Sequence, residues 1–180
     1  MKFTPSTMKV TQLMTLIGLL CIMPVSTFAA PFVILGAETE DPLDDNEVLD
    51  VKTGLIWKRC PAGIFWNGVN CGNQTLVQTH EEALGEAEFR RNQEAPKQWR
   101  LPNIKELASL VDTTQFEPAI DSNVFSNTRF FVPGSVFANF WSATPLTQDS
   151  SFVYSLSFQD GEVKTTNRSE LGFTRLVRSQ

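Results

Sequence analysis

Between residues 152 and 159 the chain alternates strictly: Phe152, Tyr154, Leu156 and Phe158 stand in one phase, Val153, Ser155, Ser157 and Gln159 in the other. A period of two is that of a β-strand with one face buried. Asp160-Gly161 follows, a pair suited to the left-handed positions of a tight hairpin turn, and the return strand is expected from Glu162 to Thr166. Such a hairpin commits the chain to an antiparallel sheet. Further short strands are expected at Leu55-Ile56-Trp57, after a turn at Lys52-Thr53-Gly54, and at Phe140 to Thr144. A last strand is expected where Phe173, Arg175 and Val177 alternate with Thr174, Leu176 and Arg178. Two helices are marked by their starts. Thr79-His80-Glu81-Glu82 has the spacing of a capping box, with Ala83, Ala87, Leu84 and Phe89 as the apolar side, and this helix should end near Gln93, before Pro96. Asn103 with Glu106 opens the second behind Pro102, burying Ile104, Leu107, Ala108 and Val111. Helices early and strands late predict an α+β domain.

The ends of the chain bound its setting. Lys2 and Lys9 precede an apolar run from Leu13 to Met23, followed by Pro24 and Thr27-Phe28-Ala29-Ala30. A basic head, a short apolar stretch and small residues at a cleavage point form a secretory signal peptide, expected over residues 1–29. A membrane anchor would need about 20 consecutive apolar residues, and Thr15, Gly18 and Pro24 interrupt this run. Cys21 then leaves with the leader. The chain holds 15 basic and 20 acidic residues; losing Lys2 and Lys9 leaves 13 against 20, a net charge of −7. Nucleic acid, which demands a basic stripe, is excluded as a partner. The sequence predicts an exported protein that is periplasmic, cell-surface or secreted, with no transmembrane segment after cleavage.

Cys60 and Cys71 remain, with ten residues between them. In an oxidising compartment an isolated pair of this kind predicts one disulfide. Zinc would need two more good ligands where only His80 is on offer, and a redox pair would be CxxC. Residues 30–47 read as an exposed, flexible acidic leader, since seven acidic side chains fall between positions 38 and 50 with almost no aromatic content. Residues 48–180 then make one domain of ordinary size.

Four stretches carry a resemblance: Asp50-x-x-Thr53-Gly54-Leu55-Ile56-Trp57, Trp99-Arg100-Leu101-Pro102-Asn103-x-x-Glu106-Leu107, Phe140-Trp141-Ser142-Ala143-Thr144 and Leu176-Val177-Arg178. Together, over about residues 46 to 179, they resemble the Lcl C-terminal family, named after a bacterial collagen-like surface adhesin. The resemblance implies a fold similar to C-type lectin domains, and with the residue-level reading the expected architecture is α+β, two helices with a small antiparallel sheet, long loops and one disulfide. It also implies a surface or secreted setting and a binding role. Unlike the adhesin, this chain has no collagen-like Gly-x-y tract.

Candidate chemistry is weighed against structure residue by residue. Trp57, Trp99 and Trp141 sit among apolar neighbours and are expected in the core, although an aromatic face also suits a sugar ring. Arg100 and Arg178, like Pro102, belong to the structural motif; a guanidinium in apolar sequence is expected to pair with a carboxylate, and Glu106 and Asp112 are candidates. Ligand contacts are expected on two irregular stretches held by the scaffold. The disulfide loop offers Phe65, Trp66 and Asn67, with Trp66 exposed, and the region from Ser122 to Asn139 offers Asn123, Asn127, Arg129 and Asn139.

Calcium-lectin chemistry is not expected, because Glu117-Pro118-Ala119 lacks an amide ligand and Trp141-Ser142-Ala143 lacks a carboxylate. No GxSxG or HExxH motif is present, and His80 fits a capping segment. The sequence therefore predicts a non-catalytic binding module without cofactor or metal, suited to a neutral glycan or a surface protein. Two other readings stay open. A glycan hydrolase would need a pair such as Asp112 and Glu117 across a cleft, and a structural subunit of an envelope assembly would show a large exposed apolar patch.

Overall fold

A computed structural model describes residues 31–36, 46–64, 66–72, 76–126 and 139–180, so the expected signal peptide lies outside the described residues. The Asp50 motif builds the first turn. Its carboxylate accepts from the Lys52 amide at 2.9 Å and the Thr53 hydroxyl at 2.6 Å, while Gly54 takes φ of +72° and donates its amide to the Asp50 carbonyl. A side chain bonding its own backbone two or three residues on, followed by a left-handed glycine, reverses the chain in a few residues. Strand β2 (Glu47–Asp50) thereby pairs antiparallel with β3 (Leu55–Lys58), bringing Val48 opposite Trp57.

One expectation is corrected here. Part of the segment read as a flexible leader is strand β1 (Phe32–Leu35), paired with β2 so that Val33 faces Leu49. Phe32 packs edge-on against Phe125 with ring centroids 5.2 Å apart. Its four apolar residues precede the acidic run, and the pairing covers an edge of β2 that would otherwise be bare.

A second sheet replaces the single one expected. It comprises β4 (Asn139–Pro145), β5 (Phe152–Ser157) and β6 (Val163–Asn167), in that order and antiparallel. The hairpin between β5 and β6 turns at Asp160-Gly161, where Gly161 has φ of +79°. β5 is covered more completely than its alternation predicts. Val153, Ser155, Leu156 and Ser157 are buried, while Phe152 and Tyr154 keep partial exposure. Ser155 tolerates burial because its hydroxyl shares a 2.7 Å hydrogen bond with Thr166.

Helix α1 (His80–Gln93) has the predicted capping box, Thr79 and Glu82 each satisfying the other's amide. It buries His80, Ala83 and Ala87, while Leu84 and Phe89 face solvent. Helix α2 (Ile104–Ala108) starts on the Asn103–Glu106 capping box. It is short: Val111 lies beyond its end yet still packs on the core. The FWSAT stretch seats α2 on the second sheet, since the Ile104 amide donates to the Thr144 hydroxyl at 2.9 Å and the Ala143 amide to the Pro102 carbonyl at 2.7 Å.

The C-terminal stretch is a spine between the sheets. Phe173 exchanges backbone hydrogen bonds with Asn139 and Trp141 of β4, and Thr174 and Leu176 accept from Ala62 and Lys58. Val177–Arg178 then forms β7 beside β3, giving the first sheet the order β1-β2-β3-β7. Residues 172–177 are all buried. One core cluster gathers Trp57, Leu107, Phe125, Phe140, Phe158 and Phe173; another gathers Ile56, Ala83, Trp99, Trp141 and Leu176.

Candidate binding surface

Trp57, Trp99 and Trp141 lie in the core as expected, each essentially without exposure. The indole of Trp99 donates to Glu94 at 2.9 Å, and that of Trp141 to the Gln78 carbonyl at 2.8 Å. Trp99 is flanked by two cations, with Lys58 Nζ 4.6 Å and the Arg178 guanidinium 5.4 Å from its ring. Glu47 joins them, accepting from Arg178 at 2.8 Å and Lys97 at 2.6 Å, with Lys58 3.7 Å away. Burial pushes the Glu47 carboxyl up, but the hydrogen bonds from Lys97 and Arg178 and the charge of Lys58 outweigh it and hold the group below its ordinary value.

Arg100 binds Glu106 through two parallel 2.8 Å hydrogen bonds. This is the fork geometry expected of a structural arginine. Arg178 takes neither of its suggested partners; its carboxylate is Glu47, far off in sequence. Asp112 instead accepts from Thr114 and Gln115, which lower its pKa.

His80 is buried at the start of α1. Arg168 donates to its Nδ1 at 2.8 Å, so Nε2 carries the proton and donates to the Ser142 carbonyl at 3.0 Å. Burial, aided by the Arg168 charge, lowers its pKa despite the opposing bond to Ser142. A neutral imidazole so placed ties α1 to β4.

The bond between Cys60 and Cys71 closes an arm over its own small core of Cys60, Ile64, Trp66 and Cys71. Trp66, expected on the surface, is only 6% exposed. The loop folds back so that Trp66 bridges Cys71, and the Arg59 guanidinium stacks 3.9 Å from its ring centroid. The indole therefore supports the arm from inside instead of facing a ligand.

Arg59 also joins the two predicted stretches, a role the sequence did not reveal. It donates to the carbonyls of Val124 (3.0 Å) and Asn123 (3.4 Å). A second tie runs through Ser126, whose hydroxyl accepts from the Cys71 amide at 3.1 Å and contacts the Cys71 sulfur at 3.3 Å. Asn67, Val69 and Asn70 on the arm and Asn123 on the neighbouring stretch are all exposed, with Val69 at 79%. Asn67 shapes the tip by accepting from the amides of Val69 and Asn70. Asn139 lies in the first ladder pair of β4, opposite Ser157. Phe65, Asn127 and Arg129 lie outside the described residues.

Among the described residues, no group of three or more His, Cys, Asp or Glu is placed to hold a metal, and no helix is long and apolar enough to cross a membrane. The displaced carboxyl groups described, Glu47, Glu82, Glu106, Asp112 and Asp160, all move downward.

These features define a disulfide-bearing α+β domain whose arm and neighbouring loop are tied together through Arg59 and Ser126. The model of the Lcl C-terminal domain matches residues 46–178, and the chain belongs to that family. The match begins beyond β1, so the edge strand stands outside it. No curated protein matches the chain, and no solved structure does.

Proposed function

We propose that this protein is an exported, adhesin-like binding module on a lectin-like scaffold, and that it takes a neutral glycan or the edge of a surface protein on the face formed by the disulfide arm and residues 121–126. The observation that carries the reading is the double clamp of Arg59 and Ser126, which fixes two loops relative to each other before any ligand arrives. Preordering of this kind lowers the entropic cost of binding. The face presents amides and an apolar side chain, groups that recognise hydroxyls and ring faces without a charge requirement. Family membership and the disulfide support the same setting. Glycan and protein arrays probed with the mature domain test the reading. A hit whose affinity changes little between low and high salt is expected, because the net negative charge, −5 for the whole chain and −7 once residues 1–29 are removed, gives small scope for counterion-driven attraction. A ligand whose affinity collapses with salt would reject a neutral partner.

A further inference from the structure

Arg175 occupies the middle of the buried C-terminal spine and is fully enclosed. Its Nη1 donates to the carbonyls of Lys58 and Arg59, and its guanidinium lies over two aromatic rings, 4.8 Å from Phe125 and 5.5 Å from Phe140. These contacts leave one edge of the fork unused: Nε and Nη2 are buried without a hydrogen-bond partner among the described residues. The indole N–H of Trp57, in the core cluster that also holds Phe125 and Phe140, is buried and unpartnered too. Burial alone lowers the Arg175 pKa, to about 9, with no carboxylate offsetting it. The side chain is still charged at neutral pH. An uncompensated buried charge is among the most costly features a core can contain.

We propose that the Nε–Nη2 edge of Arg175 binds a small inorganic anion of the chloride class, enclosed in the core, with the Trp57 indole as a candidate further donor. A small anion matches the site because both free donors lie on one edge of a guanidinium that is wholly enclosed. It would be a component of the fold, independent of any ligand on the arm.

The test compares thermal melting of the protein in sodium chloride and in sodium gluconate at equal ionic strength. A higher melting temperature in chloride is expected, by about 5 °C at tenfold excess over the dissociation constant. Arg175→Met should abolish the difference. Should that variant fail to fold, crystals of the wild-type protein soaked in bromide supply the second reading, with an anomalous peak expected within hydrogen-bond distance of Nε and Nη2. Equal melting temperatures in the two salts, an Arg175→Met protein that keeps its chloride dependence, or no bromide at that edge would each overturn the proposal.

Discussion

Glu47 ties residues that no local rule brings together, and removing its charge gives a worked test of the packing around Trp99. In Glu47→Gln the shape is kept, but the anion shared by Lys97, Arg178 and Lys58 is lost. Lys97, 44% exposed, can turn to water, and Lys58 keeps Glu94 at 2.8 Å. Arg178 is left as a mostly buried cation without its carboxylate. Breaking a buried pair from one side costs about 3 to 5 kcal/mol, and the relief open to the two lysines puts this case near 3 kcal/mol. For a domain of this size that is a fall of about 10 °C in melting temperature, read by circular dichroism. The sign with pH follows from the depressed pKa. The Glu47 contribution is present above the unfolded value of 4.5 and is lost as pH falls through the folded one, so the gap between wild type and variant should close in acid. A variant within about 0.5 kcal/mol of wild type at neutral pH, or a gap unchanged in acid, would refute the reasoning.

The remaining predictions are shorter. Replacing Cys60 and Cys71 by serine should lower stability by about 2 to 4 kcal/mol, and alkylation with mass spectrometry should find neither thiol free in protein exported to an oxidising compartment. His80 has a lowered pKa, so only the unfolded chain takes up its proton just below 6.5; stability should fall as pH drops from there to the folded pKa, and His80→Gln should flatten that slope in a series of denaturant titrations. Arg100→Ala should cost about 1 kcal/mol and leave ligand binding intact, because its side chain is 42% exposed and solvent screens the pair with Glu106. Lost binding at an unchanged melting temperature would make Arg100 a site residue.

Features that depend on neighbours in sequence were legible. Both capping boxes, the Asp160-Gly161 hairpin, the Asp50 turn and the Arg100–Glu106 pair lie within a few residues, and each follows from side chains meeting their own backbone or a nearby partner. Trp57, Trp99 and Trp141 were legible as core from their apolar surroundings. Long-range pairings were not. β1 is four apolar residues beside an acidic run, and only the edge of β2 gives it structure. Arg178 and Glu47 meet in space but come from opposite ends of the domain's sequence. Trp66 was misplaced because a loop with glycines and asparagine resembles exposed chain, while the disulfide and Arg59 fold it inward. Arg175 carried one unused signal: it stands in phase with Phe173 and Val177, which places its charge on a core face.

The central claim is that the clamped face of the arm and residues 121–126 is where this protein binds. The most direct test measures binding of an array-identified ligand by calorimetry to wild type and to a Val69→Asp, Asn123→Ala double variant. Both side chains are exposed, and Asn67, which shapes the tip, is left in place. The account predicts affinity at least tenfold weaker, about 1.4 kcal/mol, with the melting temperature unchanged. Full affinity in the double variant would contradict it.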